Sequence, residues 1–357
     1  MKKVEILLGA FVAVIAYSQL GAASKKDIRQ IELTQAKSRD ESRHVAKRTG
    51  ADVFIRLQVV DDKGETVPGS NVGVGFFNGS KDNVPDLKGL TGDDGTFEIT
   101  GRCRYWIRVH VFKKGYYAYD EKLNVSWTDS IPAVIDGKWQ PWGEERRIVL
   151  KRKLNPIAMG DQRFGRYKPP AFDEWLGFDL CKCLWCSPYG EGEHADVLMR
   201  FTKDYRSPFD CASTFEVSFT NNPYAGFVRL AKDVNSEMKS IRVASTNDST
   251  YSEAYFKQVK KSDEKNRVRR EDRLSEDEYL VFRTRSKVDD QGRLLSAHYG
   301  KIYGPFEYNF NFTMEARGFY FNPTANDPNL EDDVTYRESE VYFNQRLPHG
   351  QVRPRSK

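Results

Sequence analysis

The sequence predicts a mainly β protein built from two sandwich-like domains. Tyr and Phe are abundant, with 18 and 22 copies, and aromatic residues favour strands. The apolar runs are short and are separated by the Gly, Pro, Asn and Asp residues that are typical of turns. The chain has 357 residues, which suits two domains of about 100–200 residues each.

Residues 1–23 have the pattern of a secretory signal peptide. Two lysines precede an apolar run at 6–17, and small residues follow it up to Ala23. This run is shorter than the roughly 20 residues that span a bilayer, which argues against a retained anchor. We therefore expect cleavage after Ala23, export to the periplasm, cell surface or exterior, and no membrane span in the mature chain.

Residues 24–50 are rich in charges and poor in apolar positions, which predicts a charged spacer that can form a helix. The first domain is expected at 51–153. Its short apolar segments lie between turns such as Asp61–Gly64 and Asp93–Gly95. The strand candidates are 53–60, 72–77, 96–99, 105–111 and 147–150. Five or more short strands at this spacing suggest a sandwich.

Three stretches of this domain carry a family resemblance. They are VVDDKGETVPGSNV at 59–72, TGDDGTF at 91–97, and IRVHV with KGY at 107–116. The region resembles the carboxypeptidase regulatory-like domain. The resemblance implies a small, prealbumin-like and Ig-like β-sandwich that acts as an accessory module and carries no catalytic residues.

A linker with three prolines is expected at 154–172, a second β-rich domain at 173–344 and a basic tail at 345–357. The strand candidates of the second domain are 195–202, 214–220, 240–244, 278–285, 297–302, 307–313 and 318–321. Residues 257–273 hold eight basic and four acidic residues, which favours a solvated loop or short exposed helix over a binding arm.

The second region also carries a resemblance. The stretches LKRKLNPI at 150–157, GFDL at 177–180, YGKIYG at 299–304 and FNPTAND at 321–327 are similar to the C-terminal half of exported bacterial proteins. Those proteins have no known activity, so the resemblance implies a location and no reaction.

The five cysteines are the most unusual local feature, and they are Cys103, Cys181, Cys183, Cys186 and Cys211. Export to an oxidising compartment permits disulfides, but an odd number leaves at least one thiol unpaired in a monomer. A soft metal held by the 181–186 cluster with Cys211 is the alternative. The single cluster favours local disulfides or buried thiols, so we expect no metal and no cofactor.

Three further groups have both a chemical and a structural interpretation. His194 stands among acidic residues, but its glycine-rich context favours a solvated turn over acid–base chemistry. The alternating oxygens of Asp327, Asn329, Glu331 and Asp333 suit calcium, but the glycine of an EF-hand loop is missing. Trp127, Trp139 and Trp142 lie near polar residues and suit sugar stacking, although tryptophans also fill sandwich ends.

The sequence favours a non-enzymatic structural or interaction protein of the cell envelope or exterior. Neither an HExxH pattern nor a GxSxG pattern is present, and we assign no catalytic, cofactor-binding or metal-ligating residue. The formal charge of +5 is mild for this length and does not indicate nucleic acid. The expected partners are a polysaccharide or an envelope protein.

Two alternatives remain open at this point. A carbohydrate-binding accessory module would expose Trp139 and Trp142 together on one flat face. A hydrolase would assemble scattered carboxylates, such as Asp204, Asp210 and Glu315, in one deep pocket at about 5–10 Å from each other.

Overall fold

The computed structural model describes residues 39–332, apart from 79–86, 105, 126–133, 208–209, 220–222, 234–235, 263–267 and 310–312. The expected signal peptide at 1–23 and the basic tail at 345–357 lie outside these residues. The chain divides into two compact units, the first ending at Arg152 and also including Asn235–Glu237, and the second holding the remaining residues from Lys153.

The charged segment at 24–50 ends in helix α1 (Arg39–Thr49). Ala46 is fully buried, so the helix has a small apolar contact despite its charge. Gly50 follows the helix with φ +82°, and its N–H donates to Ala46 O at 2.7 Å. A glycine in the left-handed region commonly ends a helix, and it does so here directly before the first strand.

The first unit has nine strands among the described residues. They are β1 (Ala51–Asp61), β2 (Asn71–Phe76), β3 (Leu87–Leu90), β4 (Thr96–Cys103), β5 (Trp106–Phe112), β6 (Tyr119–Asn124), β7 (Val134–Ile135), β8 (Lys138–Trp139) and β9 (Glu144–Leu150). One sheet has the order β4-β1-β8-β7, with β9 also paired to β1, and the other has the order β3-β2-β5-β6.

The core of the first unit is filled by alternate residues of both sheets. Val53, Ile55 and Leu57 of β1 are buried, while the residues between them are half-buried. Val72 and Val109 of the other sheet belong to the same cluster. This alternation is the period-2 pattern of a sheet with one buried face, which is the pattern that a sandwich requires.

The turn between β3 and β4 shows why a glycine is needed at position 95. Asp94 Oδ1 accepts from Thr96 N at 2.9 Å, and Gly95 has φ +76°. A Cβ at Gly95 would lie 2.7 Å from Val59 O, so any side chain would clash with the neighbouring strand. The turn predicted at 93–95 is confirmed, and Gly95 fixes it.

The second unit has two sheets and one short 3-10 helix (Asp248–Tyr251) among its described residues. The strands are β10 (Gly160–Tyr167), β11 (Trp175–Asp179), β12 (Leu184–Trp185), β13 (Val197–Ser207), β14 (Asp210–Ser218), β15 (Gly226–Ala231), β16 (Tyr255–Ser262), β17 (Val268–Glu271), β18 (Glu278–Val288), β19 (Leu294–Tyr308) and β20 (Met314–Phe321). The orders are β10-β20-β19-β18-β15 and β12-β11-β13-β14-β16-β17.

Aromatic side chains from both sheets form the core of the second unit. The rings of Phe215 and Phe306 lie 5.1 Å apart, and those of Phe178 and Phe319 lie 5.7 Å apart. The other face of the five-stranded sheet is also covered, because Tyr279, Val281 and their neighbours form a further buried cluster. The predicted mainly β fold with sandwich domains is confirmed.

Three predictions for this region were wrong. The linker expected at 154–172 contains β10, which pairs with β20. The loop or helix expected at 257–273 contains most of β16 and all of β17. Both segments are rich in charged residues, so their sequences do not show the apolar alternation of a strand. β10 and β17 lie at sheet edges, where charged residues are common because they discourage unwanted pairing. The strand expected at 240–244 is only a single bridge between Val243 and Asn329.

Candidate functional site

One polar cluster of the second unit joins an arginine to two buried aspartates. Arg285 Nε donates to Asp196 Oδ1 at 2.7 Å, and Arg285 Nη2 donates to Asp196 Oδ2 at 2.8 Å. The same Nη2 lies 3.0 Å from Asp179 Oδ1. Both aspartate side chains are at most 1 % exposed. This bidentate geometry is the strong form of an arginine–carboxylate pair.

The three residues of this cluster come from strand ends and from a bulge. Asp179 ends β11, Asp196 precedes β13, and Arg285 lies in β18. The β18–β19 register shifts between Thr284 and Lys287, and Arg285 has φ +50°. A bulge re-aims a side chain out of the regular alternation. The guanidinium carbon consequently lies 4.5 Å from the centre of the Phe321 ring.

Asp179 also fixes the loop that carries the cysteine cluster. Its Oδ1 accepts from Cys181 N at 3.0 Å and from Lys182 N at 2.9 Å. Its Oδ2 accepts from Glu193 N at 3.1 Å and from His194 N at 3.2 Å. One buried carboxylate therefore accepts hydrogen bonds from both ends of the segment 181–194 and holds them together.

The thiols of Cys181 and Cys186 are poor nucleophiles at neutral pH. Burial raises the pKa of Cys181 and raises the pKa of Cys186 to about 11, and only a thiolate attacks or binds metal well. All five cysteines are free thiols in the structure. Among the residues described between 39 and 332, no three His, Cys, Asp or Glu side chains are grouped closely enough to hold a metal ion.

Replacing Cys183 by serine is expected to cost only about 1 kcal/mol, because the two side chains have nearly the same volume and the buried hydroxyl can make a hydrogen bond. Cys183 Sγ lies 3.5 Å from Leu180 O, so a hydroxyl would have an acceptor there. Urea denaturation with and without a chelator measures both effects. Unfolding by the chelator, together with stoichiometric zinc, would instead make these cysteines metal ligands.

An open cleft of about 550 Å3 lies beside the cluster. Its lining includes Glu193, His194, Asp196, Arg285, Lys287 and His298. Glu193 pairs with Lys182 at 2.5 Å. Burial lowers the pKa of His298, whose Nδ1 lies 3.2 Å from Asn322 O. His194 is exposed, in keeping with the solvated turn. The cleft thus offers hydrogen bonds for recognition.

The three carboxylates considered for a hydrolase do not meet in one pocket, because two of them share an exposed arginine and the third lies in the other sheet. Asp204 and Asp210 are exposed and flank Arg206, at 3.9 Å and 3.7 Å from its nitrogens. Glu315 lies in β20 of the other sheet, where it pairs with Arg166 at 3.5 Å. The pocket that would have favoured this alternative does not form from these residues.

Trp139 and Trp142 do not share an exposed face. Trp139 is 1 % exposed, and its Nε1 donates to Cys103 O at 2.9 Å. Trp142 is 42 % exposed and packs on Phe54, with ring centres 5.6 Å apart. Trp127 lies outside the described residues. The pair of exposed rings that would have favoured a carbohydrate-binding module is therefore not formed by Trp139 and Trp142.

The oxygen-rich segment considered for calcium is occupied by internal hydrogen bonds. Asp327 Oδ1 accepts from Asn329 N at 3.0 Å, and Asn329 Oδ1 accepts from Glu331 N at 2.9 Å. Glu331 also pairs with Arg242 at 2.5 Å. Asp333 lies outside the described residues. These side chains shape the turn after β20.

Comparisons with known proteins give distant structural similarity and no family. No family model matches the chain, and no curated protein matches it. The 3-chlorocatechol 1,2-dioxygenase from Rhodococcus opacus 1CP is 16% identical with a TM-score of 0.22, over 29% of this chain and 62% of that chain. The catechol 1,2 dioxygenase from Acinetobacter radioresistens is 12% identical with a TM-score of 0.23, over 31% and 55%.

The shaft pilin spaA from Lactobacillus rhamnosus GG is 11% identical with a TM-score of 0.19, over 75% of this chain and 93% of that chain. The chain spans less than two thirds of the length of both dioxygenases. Within residues 39–332 as described, no helix is long and apolar enough to cross a membrane. These findings amount to a distant similarity to β-sandwich structures, among them a pilin, and they support no specific function.

Proposed function

We propose that the chain is an exported, non-enzymatic structural or interaction protein of the cell envelope or exterior. One observation carries the proposal: the polar cluster around Arg285 serves the architecture. The Arg285 guanidinium is held by two buried carboxylates, and Asp179 accepts four backbone N–H groups. Groups engaged in this way position loops on a rigid scaffold.

The chain-wide pattern supports the same proposal. The signal-peptide pattern at 1–23 supports export. The resemblance of 51–153 to the carboxypeptidase regulatory-like domain supports an accessory, non-catalytic role. The high pKa of the Cys186 thiol, about 11, disfavours thiol catalysis in the cysteine loop. The cleft beside Arg285 presents polar side chains for contact with a partner.

N-terminal sequencing of the protein from envelope and medium fractions tests the proposal. The mature chain is expected to begin near Ser24. Val12→Arg, which interrupts the apolar run, should leave an uncleaved chain inside the cell, because a charge in the run blocks signal function. Ile28→Arg, outside the run, is the matched control. A wild-type chain that keeps Met1 and stays in the cytoplasm would contradict the proposal.

A further inference from the structure

The outer face of the six-stranded sheet in the second unit carries an ordered row of side chains. Trp175 pairs with Arg200, Arg200 with Glu216, and Glu216 with Lys257. Residues directly opposite one another on antiparallel strands point to the same side of a sheet. These four positions therefore form one row across β11, β13, β14 and β16, roughly 14 Å long at about 4.8 Å per strand.

The neighbouring row shows which side of the sheet this is. Leu176, Met199, Val217 and Phe256 are the next residues on the same four strands, and they are paired in the same order. All four belong to the aromatic core. Because side chains alternate across a strand, the row from Trp175 to Lys257 lies on the opposite side of the sheet from this core.

Hydrogen bonds hold the outer row in place. Arg200 Nε donates to Glu216 Oε2 at 2.7 Å, and Tyr255 OH donates to Glu216 Oε1 at 2.5 Å. The bond from Arg200 lowers the pKa of Glu216, so this carboxylate remains charged at neutral pH. The guanidinium carbon of Arg200 lies 4.9 Å from the centre of the Trp175 ring. Trp175 and Tyr255 remain 40% and 46% exposed.

The outer face also carries exposed lysines on β16. Lys257 and Lys261 of β16 are exposed, and Lys261 occupies the same face two rows away, opposite Arg269 of β17. Exposed lysines beside exposed aromatic side chains attract an anionic partner.

We propose that this outer face binds an acidic polysaccharide. Exposed Trp and Tyr side chains offer rings on which sugar faces pack, while the lysines of β16 pair with carboxylate or sulfate groups spaced along the chain. An extended, regularly charged polymer matches a sheet face that carries exposed aromatic residues and exposed lysines. The partner class rests on the proposed export, because polysaccharides of this kind are met outside the cytoplasm.

Binding of the mature chain, residues 24–357, to polygalacturonate tests the inference, with neutral dextran and oligo-dT as competing probes. The combined Lys257→Gln and Lys261→Gln variant is expected to bind about tenfold more weakly, and wild-type binding should weaken as salt rises. Trp175→Ala should lose about tenfold as well, and Trp175→Tyr should retain most of the affinity because an aromatic ring remains.

Trp142→Ala and Lys114→Gln, both exposed positions of the first unit, are the matched controls and should bind as the wild type does. Circular dichroism confirms that each variant is folded. Absence of binding, equal binding to neutral dextran, tighter binding to oligo-dT, or equal losses in the controls would each overturn the inference. The assay uses purified protein, so its failure is distinguishable from a failure of export in the fractionation experiment.

Discussion

Arg285→Ala is expected to destabilise the second unit by about 3–5 kcal/mol, because it leaves two buried carboxylates without their shared counter-charge. Asp196 and Asp179 are at most 1 % exposed, and burial already raises the pKa of Asp196 against the opposing effect of Arg285. Urea denaturation measures the loss. Hydrogen exchange read by mass spectrometry should show the loss of protection in β11, β13 and the segment 181–194.

Two variants sharpen this test. Arg285→Lys keeps the charge but not the planar fork that makes the bidentate pair, so it should be intermediate. Arg293→Ala removes an arginine whose side chain is 73% exposed, and it should cost less than about 1 kcal/mol. A loss below about 1 kcal/mol for Arg285→Ala would show that the cluster does not organise the loop.

Phe201→Ala is expected to cost about 3–5 kcal/mol through lost burial and the cavity left behind. Phe201 is fully buried. Its ring centre lies 4.9 Å from that of Phe215 and 5.1 Å from that of Tyr308. The variant removes contacts in the middle of β13. The midpoint of urea denaturation should therefore fall, while the slope of the unfolding free energy against urea concentration stays unchanged.

Phe201→Leu fills part of the cavity and should lose roughly half as much. Leu295→Ala is the control at a site that is 60% exposed, and it should change stability by less than about 0.5 kcal/mol. Similar losses in Phe201→Ala and Leu295→Ala would mean that the two sheets do not share a packed core.

The alternation of apolar and polar residues explains which strands could be predicted from the sequence. The alternation in 53–60 predicts β1, and the observed strand buries Val53, Ile55 and Leu57 as that pattern requires. β16 has the same alternation, with buried Phe256, but its other inward positions are Gln258 and Lys260. These polar side chains form hydrogen bonds inside the unit; Gln258 Nε2, for example, donates to Phe306 O at 3.5 Å. Such partners lie far away in the sequence, so the local pattern of residues does not predict them.

The cluster of Asp179, Asp196 and Arg285 could not be predicted from the sequence for a related reason. Asp179 and Arg285 are 106 residues apart, and they meet only because two strand ends and a bulge converge. A weak signal was present, since Arg285 is the last residue of the strand predicted at 278–285, which contains the apolar run 279–282. A charge at the end of a buried strand indicates a paired group, although it does not identify the partner.

The parallel pairing of β1 with β9 in the first unit has a mechanical consequence. Seven residue pairs, from Ile55 with Glu144 to Asp61 with Leu150, join these strands side by side in the same direction. Tension applied at the start of β1 and at the end of β9 pulls along the strands in opposite senses. The inter-strand hydrogen bonds are then loaded in shear, all at once, whereas a hairpin would open one bond at a time. Such an arrangement lets the unit transmit force while it remains folded.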